Sequence, residues 1–177
     1  MALNRVMVVD DFADWRRQVC SILEQRQELS VVGEASDGAE AVQKAAELKP
    51  DLIVLDIGLP KLSGIEAAAR ISKLSPQSKI LFLSQDNDEG TVQAALETGA
   101  RGYVHKLTAG AELLSAVAAL LQDRRFVSRG INSEESRRER LKLLPGMNSR
   151  MCRAELVEDI TTHLTLETSP LVPAEDR

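Results

Sequence analysis

The sequence is poor in aromatic residues, in cysteine and in positive charge, and each shortage excludes a class of protein. Only 3% of the 177 residues are aromatic, so the core must consist mainly of Val, Ile, Leu and Ala. Cys20 and Cys152 lie far apart, which favours reduced thiols over a disulfide framework or a metal site. The formal net charge of −5 lacks the basic excess that binding to a phosphate backbone requires, so we expect no DNA partner.

Long hydrophobic runs are missing as well. No apolar stretch approaches the roughly 20 residues that a membrane-spanning helix needs. Two aspartates directly follow the first short run, residues 6–9, which excludes the apolar core of a signal peptide. We therefore expect a cytoplasmic protein with no membrane partner. A composition of 44% hydrophobic and 28% charged residues is typical of a globular protein.

What the chain does have is an alternation of two hydrophobic periods over residues 4–123. Short runs that are almost continuously apolar indicate parallel strands covered on both faces, and stretches of helical spacing lie between them. The predicted strands are residues 5–9, 30–35, 51–57, 79–83 and 102–105. Five strands alternating with five helices predict a doubly wound α/β domain, because parallel crossover connections are right-handed. Residues 124–127 either prolong the last helix or begin a linker.

Helix boundaries follow from capping patterns. Residues 37–40, 63–66 and 86–89 have the spacing of a capping box, in which the first and fourth side chains bond each other's backbone amides. Thr108 is the predicted N-cap of the fifth helix. Gly99 stands where a left-handed residue would end the fourth helix.

Residues able to handle a phosphoryl group stand at the carboxyl ends of four of the predicted strands. They are Asp10, Asp11, Asp56, Ser84 and Lys106. Ligands of a doubly wound sheet bind at the carboxyl ends of its strands, so these side chains should meet there. Three carboxylates suit Mg²⁺, and a carboxylate held against that ion can attack a phosphorus atom to form an acyl phosphate. Considered singly, the aspartate pair also fits a solvated turn, Ser84 a helix cap and Lys106 a surface lysine.

With these residues in view, residues 4–127 resemble the receiver domain of two-component response regulators. The matching motifs are residues 8–11, 33–38, 50–60, 63–66 and 99–106. They are most similar to NarL/FixJ-type receivers, which usually precede a DNA-binding helix-turn-helix. The resemblance implies a flavodoxin-like, five-stranded parallel sheet with strand order 2-1-3-4-5.

The resemblance also implies a role for individual residues. Asp56 would be phosphorylated by a histidine kinase or a histidine phosphotransfer protein. Asp10, Asp11, Asp56 and the backbone carbonyl of Gly58 would hold Mg²⁺. Ser84 and Lys106 would bind the phosphoryl group, and Tyr103 would be the aromatic switch residue that turns inward when Ser84 moves. Leu107 departs from the family, since many receivers have a proline after the lysine.

The output part is the larger departure. We predict a receiver domain at residues 1–127 and a C-terminal extension at 128–177, partly helical or disordered and poorly defined. Faint echoes of a helix-turn-helix occur at residues 136–146 and 161–164, too close together for the usual module, and residues 152–164 could form a short helix. Residues 128–177 hold 8 basic and 9 acidic side chains, which also argues against DNA.

The sequence is compatible with three functional interpretations. The first is a phosphorylation-controlled interaction module that acts on an unknown downstream protein. It would be no enzyme beyond its own phosphorylation and dephosphorylation, and the sequence leaves open whether it forms a homodimer. The second is a transcriptional regulator with a degenerate LuxR-type DNA-binding region. The third, a magnesium-dependent phosphohydrolase, is disfavoured because the residue two positions after Asp56 is Gly58, where such an enzyme needs a second aspartate.

Overall fold

The short apolar runs form one parallel sheet in the computed structural model, which describes residues 3–128. Its strands are β1 Asn4–Val9, β2 Leu29–Ala35, β3 Leu52–Leu55, β4 Lys79–Ser84, β5 Gly102–His105 and β6 Phe126–Val127. The strand order is β2-β1-β3-β4-β5-β6, with every neighbouring pair parallel. The predicted doubly wound α/β fold and the order 2-1-3-4-5 are confirmed, with one strand added at the edge.

That sixth strand corrects the prediction for residues 124–127, which neither prolong the last helix nor begin a free linker. The helix stops at Leu121, and Asp123 turns the chain with a left-handed φ of 60°. Phe126 then pairs with Gly102, where a Cβ would lie 2.9 Å from the Phe126 carbonyl oxygen. Glycine at position 102 therefore permits the close approach of β6 to β5.

Within the described residues, five helices cover the two faces of the sheet. They are α1 Ala13–Leu23, α2 Gly38–Leu48, α3 Gly64–Leu74, α4 Glu89–Glu97 and α5 Ala109–Leu121. One apolar core lies between the sheet and α2, α3 and α4, and the other lies under α1 and α5. Both are built mainly from aliphatic side chains, as the low aromatic content requires.

The capping patterns are confirmed in part. Ser63 and Glu66 form a complete capping box at α3, and Gly99 follows α4 with φ 93°. Asp37 caps α2 by accepting the Glu40 N–H at 2.8 Å. The prediction for α4 is wrong by two residues. Its N-cap is Asp88, because the Asp86 carboxylate accepts the Asp88 N–H and holds the chain in a turn before the helix begins.

Thr108 occupies the N-cap position of α5, but its hydroxyl bonds the His105 carbonyl oxygen and the Glu112 side chain and caps no backbone N–H of the helix. A 3₁₀ turn, Lys106–Thr108, connects β5 to α5, and no peptide bond within residues 3–128 is cis. Within that same part of the chain, every helix is too short or too polar to cross a membrane. The helix predicted at residues 152–164 and the motif echoes at 136–146 and 161–164 lie outside the described residues.

Candidate functional site

The strand ends bring the predicted site residues to one edge of the sheet. Asp10 follows β1, Asp56 follows β3, Ser84 ends β4 and Lys106 follows β5. The Asp56 N–H donates to the Val9 carbonyl oxygen at 2.9 Å, so the carboxyl ends of β1 and β3 lie next to each other. The acidic residues are adjacent because these two strands are neighbours in the sheet, although 46 positions separate Asp10 from Asp56 in sequence.

Three carboxylates form a compact cluster at this edge. Asp10, Asp11 and Asp56 each offer an oxygen, and these oxygens all lie within 4.8 Å of one another. Asp10 and Asp56 are buried, whereas Asp11 is exposed. The Lys106 Nζ lies 2.7 Å from Asp10 Oδ2 and 3.1 Å from Asp56 Oδ2. A single ammonium group thus serves two buried carboxylates.

The electrostatics of Asp56 follow from this crowding. Burial raises the pKa of Asp56 above its usual value, and the negative charge of Asp10 adds to the rise. The Lys106 charge and the Ile57 N–H, which donates to Asp56 Oδ1 at 2.8 Å, work in the opposite direction. One lysine does not fully compensate the buried acid. Additional positive charge at the cluster would stabilise the ionised carboxylate, as a bound divalent cation does.

Backbone and side-chain contacts fix the orientation of Asp10. Its Oδ1 accepts the Phe12 N–H at 2.9 Å, and its backbone carbonyl accepts a bond from Arg16 Nη1 at 2.6 Å. Arg16 Nε in turn donates to Glu34 at 2.9 Å. The sequence analysis did not identify Arg16 as a site residue. The one indication in the sequence was its position one turn into the helix that follows Asp10.

An open cavity of about 490 Å³ lies over the cluster. The wall includes Asp56, Gly58, Ser84 and Lys106 together with two aromatic side chains that the sequence reading also missed, Phe12 and Trp15. The Lys106 Nζ lies 5.8 Å from the centroid of the Trp15 ring, within the range of a cation–π contact. Through this cavity Asp56 can be reached by a small molecule or by a side chain of another protein.

Glycine residues let the backbone close in around Asp56. A Cβ on Gly64 would lie only 1.9 Å from the Asp56 carbonyl oxygen, so only glycine allows α3 to begin there. The Gly64 N–H donates to the Ile57 carbonyl oxygen at 2.9 Å and fixes the loop that carries Gly58. The motif at residues 63–66 thus combines a helix cap with a close approach to the site.

Ser84 and Tyr103 both contact Asp86. The Asp86 N–H donates to Ser84 Oγ at 3.2 Å, and the Tyr103 hydroxyl donates to the Asp86 carbonyl oxygen at 2.8 Å. Tyr103 is fully buried, and its ring lies 6.3 Å from that of Phe82. Burial raises the pKa of Tyr103 to about 12. Tyr103 therefore occupies the inward position, held by a residue two positions after Ser84.

A doubly wound sheet with an acidic cluster and a lysine at its carboxyl edge is typical of α/β domains that handle phosphoryl groups. Comparisons with known proteins show which family of such domains this chain belongs to. The family of the response regulator receiver domain matches residues 6–118. The response regulator protein VraR of Staphylococcus aureus is 37% identical over 158 residues, which cover 89% of this chain and 70% of that protein. A Pseudomonas aeruginosa relative is 40% identical over 119 residues, 67% of this chain.

A solved structure agrees with the sequence matches. The crystal structure of a LuxR-family two-component response regulator from Aurantimonas sp. has a TM-score of 0.73 and 36% identity, and the match covers 79% of this chain and 99% of that one. The chain belongs to the response regulator receiver domain family, whose members are mainly phosphorylation-activated switches that interact with histidine kinases. It spans 57% of the length of the Pseudomonas relative.

Proposed function

We propose that Asp56 is the phosphoacceptor of a signalling switch and that the donor is a histidine kinase or a histidine phosphotransfer protein. An Asp56 carboxylate oxygen attacks the phosphorus atom, the bond from phosphorus to the donor's imidazole nitrogen breaks, and its electron pair leaves with the imidazole. The product is an acyl phosphate on Asp56. The observation that best supports this role is a buried carboxylate with a raised pKa that still borders an open cavity.

The residues around Asp56 fit a hard divalent cation. Asp10, Asp11 and Asp56 offer only oxygen ligands, and the Gly58 backbone carbonyl would add a fourth. Bound Mg²⁺ would supply positive charge to the oxygens of the transferring phosphoryl group. The protein holds these carboxylates close together. This arrangement destabilises the ionised form of Asp56, as its raised pKa indicates.

Three side chains would respond to phosphorylation of Asp56, namely Lys106, Ser84 and Tyr103. The Lys106 ammonium would exchange Asp56 Oδ2 for a phosphoryl oxygen, a common use of lysine as a point charge. The Ser84 hydroxyl would donate to the same group, which would disturb its contact with Asp86. Tyr103 shares Asp86, so the phosphoryl group would bias the inward position of the tyrosine.

Labelling from a small phosphodonor tests the proposal without the kinase. We expect radiolabelled acetyl phosphate to transfer one phosphoryl group to each protein molecule in Mg²⁺, and hydroxylamine to release it as it does an acyl phosphate. EDTA should prevent the labelling, because the carboxylate cluster then lacks the charge that the phosphoryl oxygens need. A protein that stays unlabelled at saturating acetyl phosphate and Mg²⁺ would reject the proposal.

Metal binding has an independent optical readout. Trp15 is the only tryptophan of the chain and lies 5.8 Å from the Lys106 ammonium, which contacts two of the proposed metal ligands. We expect Mg²⁺ to change the Trp15 emission saturably, and Asp11→Asn to weaken the Mg²⁺ affinity by about tenfold or more, because one carboxylate ligand becomes neutral. Asp14→Asn, an exposed change on α1, is the control. Emission that does not respond to Mg²⁺ would contradict the metal site.

The output would be a change in the affinity for a downstream protein. We propose residues 1–127 as the receiver and residues 128–177 as the segment through which its state is read, with no catalysis beyond self-phosphorylation and self-dephosphorylation. A coupling of about 1–3 kcal/mol between phosphorylation and partner binding is typical of such switches. Dimerisation of the phosphorylated chain would be one form of this output.

A transcriptional regulator is the second candidate. The match to VraR is longer than residues 1–127 and therefore includes part of the C-terminal segment. The balance of 8 basic against 9 acidic residues in that segment weighs against it, because DNA binding depends on phosphate neutralisation. Salt-dependent retention of a promoter fragment by the phosphorylated chain would favour this candidate, and no retention at low salt would reject it.

A further inference from the structure

The chain that leaves α5 is bonded back onto the loop that carries Lys106. Ser128 directly follows β6 and is 1% exposed. Its N–H donates to the Tyr103 carbonyl oxygen at 2.9 Å, which continues the pairing of β6 with β5. Its Oγ accepts the N–H of His105, the residue before Lys106, at 3.0 Å. Ser128 thus contacts the backbone on both sides of Val104.

The Ser128 hydroxyl also belongs to a polar cluster whose other members, His105, Thr108 and Glu112, are half-buried. It donates to Glu112 Oε2 in the first turn of α5. The Thr108 hydroxyl lies 2.9 Å from the same Glu112 oxygen, 3.1 Å from the His105 carbonyl oxygen and 3.3 Å from Ser128 Oγ. A hydroxyl carries one proton, so Ser128 donates to Glu112 and accepts from His105. One side chain of the departing strand therefore links the residue before the 3₁₀ turn with the helix after it.

The turn between those two anchor points carries the ammonium of the site. Lys106 begins the turn, and its Nζ lies 2.7 Å from Asp10 and 3.1 Å from Asp56. Leu107, the next residue, is 89% exposed, so it contributes little packing to hold the turn. The fixed points of this segment are the polar bonds at His105 and Thr108. A shift of the turn by a fraction of an ångström would change both distances of the ammonium.

We propose that Ser128 is a positioning residue for Lys106, acting through the His105 amide and the Glu112 carboxylate. The inference rests on the proposed function, since the exact position of Lys106 affects signalling only if Asp56 is phosphorylated. Coupling between two sites is reciprocal. If the departing strand holds the Lys106 turn, then engagement of Lys106 by a phosphoryl group changes the stability of that strand, which is the last described stretch before residues 129–177.

Labelling kinetics and amide exchange together test the inference in the full-length chain. We expect Ser128→Ala to slow labelling by acetyl phosphate in Mg²⁺ by about three- to tenfold, as misplaced positioning groups do. Ser128→Thr, which keeps the hydroxyl, should restore the rate. Ser115→Ala, the same change on the exposed face of α5, should have no effect. In the wild type, Mg²⁺ with beryllium fluoride should slow hydrogen exchange at residues 126–128, and Ser128→Ala should lose this response.

The outcomes separate the inference from the function on which it rests. Wild-type protein that cannot be labelled rejects the proposed function. A labelled wild type, together with a Ser128→Ala variant of equal rate and equal exchange response, overturns the positioning role alone. A purely structural serine would lower the melting temperature but leave the response to beryllium fluoride intact, which also overturns it. If Ser128→Ala does not fold, Ser128→Cys carries the same comparison, because a thiol is a poor hydrogen-bonding group of similar volume.

Discussion

Replacement of Asp56 by asparagine is expected to abolish phosphorylation by acetyl phosphate. The amide of asparagine is no nucleophile toward phosphorus, yet its oxygen can still accept the Ile57 N–H that now bonds Asp56 Oδ1 at 2.8 Å. The shape of the site is therefore retained while the chemistry is lost. The measurement is incorporation of radiolabel in Mg²⁺, followed by release with hydroxylamine. Full labelling of Asp56→Asn would show that another residue is the acceptor.

The raised pKa of Asp56 also predicts how Asp56→Asn changes the stability of the fold. Burial raises this pKa, so the folded state binds the proton more tightly than the unfolded state does. That contribution to stability is fully present below the usual aspartate pKa near 3.9 and is lost as the pH rises through the raised folded value. At neutral pH the ionised Asp56 therefore costs stability. Asparagine removes this cost, so we expect Asp56→Asn to unfold at no lower temperature than the wild type in EDTA.

The matched control for this variant is Asp51→Asn at the opposite end of the same strand. Asp51 is exposed, and its Oδ2 accepts the Arg5 N–H at 2.7 Å, a bond that an asparagine oxygen can also accept. Labelling of this variant should equal that of the wild type. The pair separates a missing nucleophile from a general effect of removing one negative charge near β3.

The sequence predicted the residues at the carboxyl edge because chain order alone determines them. The site residues stand at the carboxyl ends of the apolar runs, and parallel strands end on the same side of a sheet. Asp10, Asp56, Ser84 and Lys106 could therefore be grouped without knowledge of any distance. The order of the strands came from the resemblance to a family, since apolar runs of similar composition do not reveal which strands are neighbours.

What the sequence could not predict depends on packing across the sheet. Phe126 and Val127 are too few to show a strand period, and they pair only because β5 has an open edge beside Gly102. Arg16 and Trp15 reach the site because α1 begins three residues after Asp10, and helical periodicity does not show which side of that first turn faces the site. The start of α4 was misplaced because Asp86 and Asp88 are equally good capping residues, and only the turn at Asp86 decides between them.

Removal of the Lys106 charge is expected to have the second large effect, this time on stability. Lys106→Met keeps the apolar stem but leaves Asp10 and Asp56 buried without their shared counter-ion. Loss of one partner from a buried ion pair typically costs about 3–5 kcal/mol, so we expect a reduction of about 3 kcal/mol in the free energy of unfolding in EDTA. Denaturant titration with and without Mg²⁺ measures it.

Magnesium should recover much of this loss, because a divalent cation at the three carboxylates replaces the missing positive charge. Lys61→Met is the matched control. Lys61 also contacts an aspartate, with its Nζ 2.6 Å from Asp37 Oδ2, but its side chain is 70% exposed. Because the Lys61 ammonium remains largely solvated, its pair with the buried Asp37 contributes little to stability, so this variant should differ little from the wild type and gain nothing specific from Mg²⁺. If Lys106→Met is as stable as Lys61→Met in EDTA, the ammonium does not hold the acidic cluster together, and its proposed transfer from Asp56 to a phosphoryl group loses its physical basis.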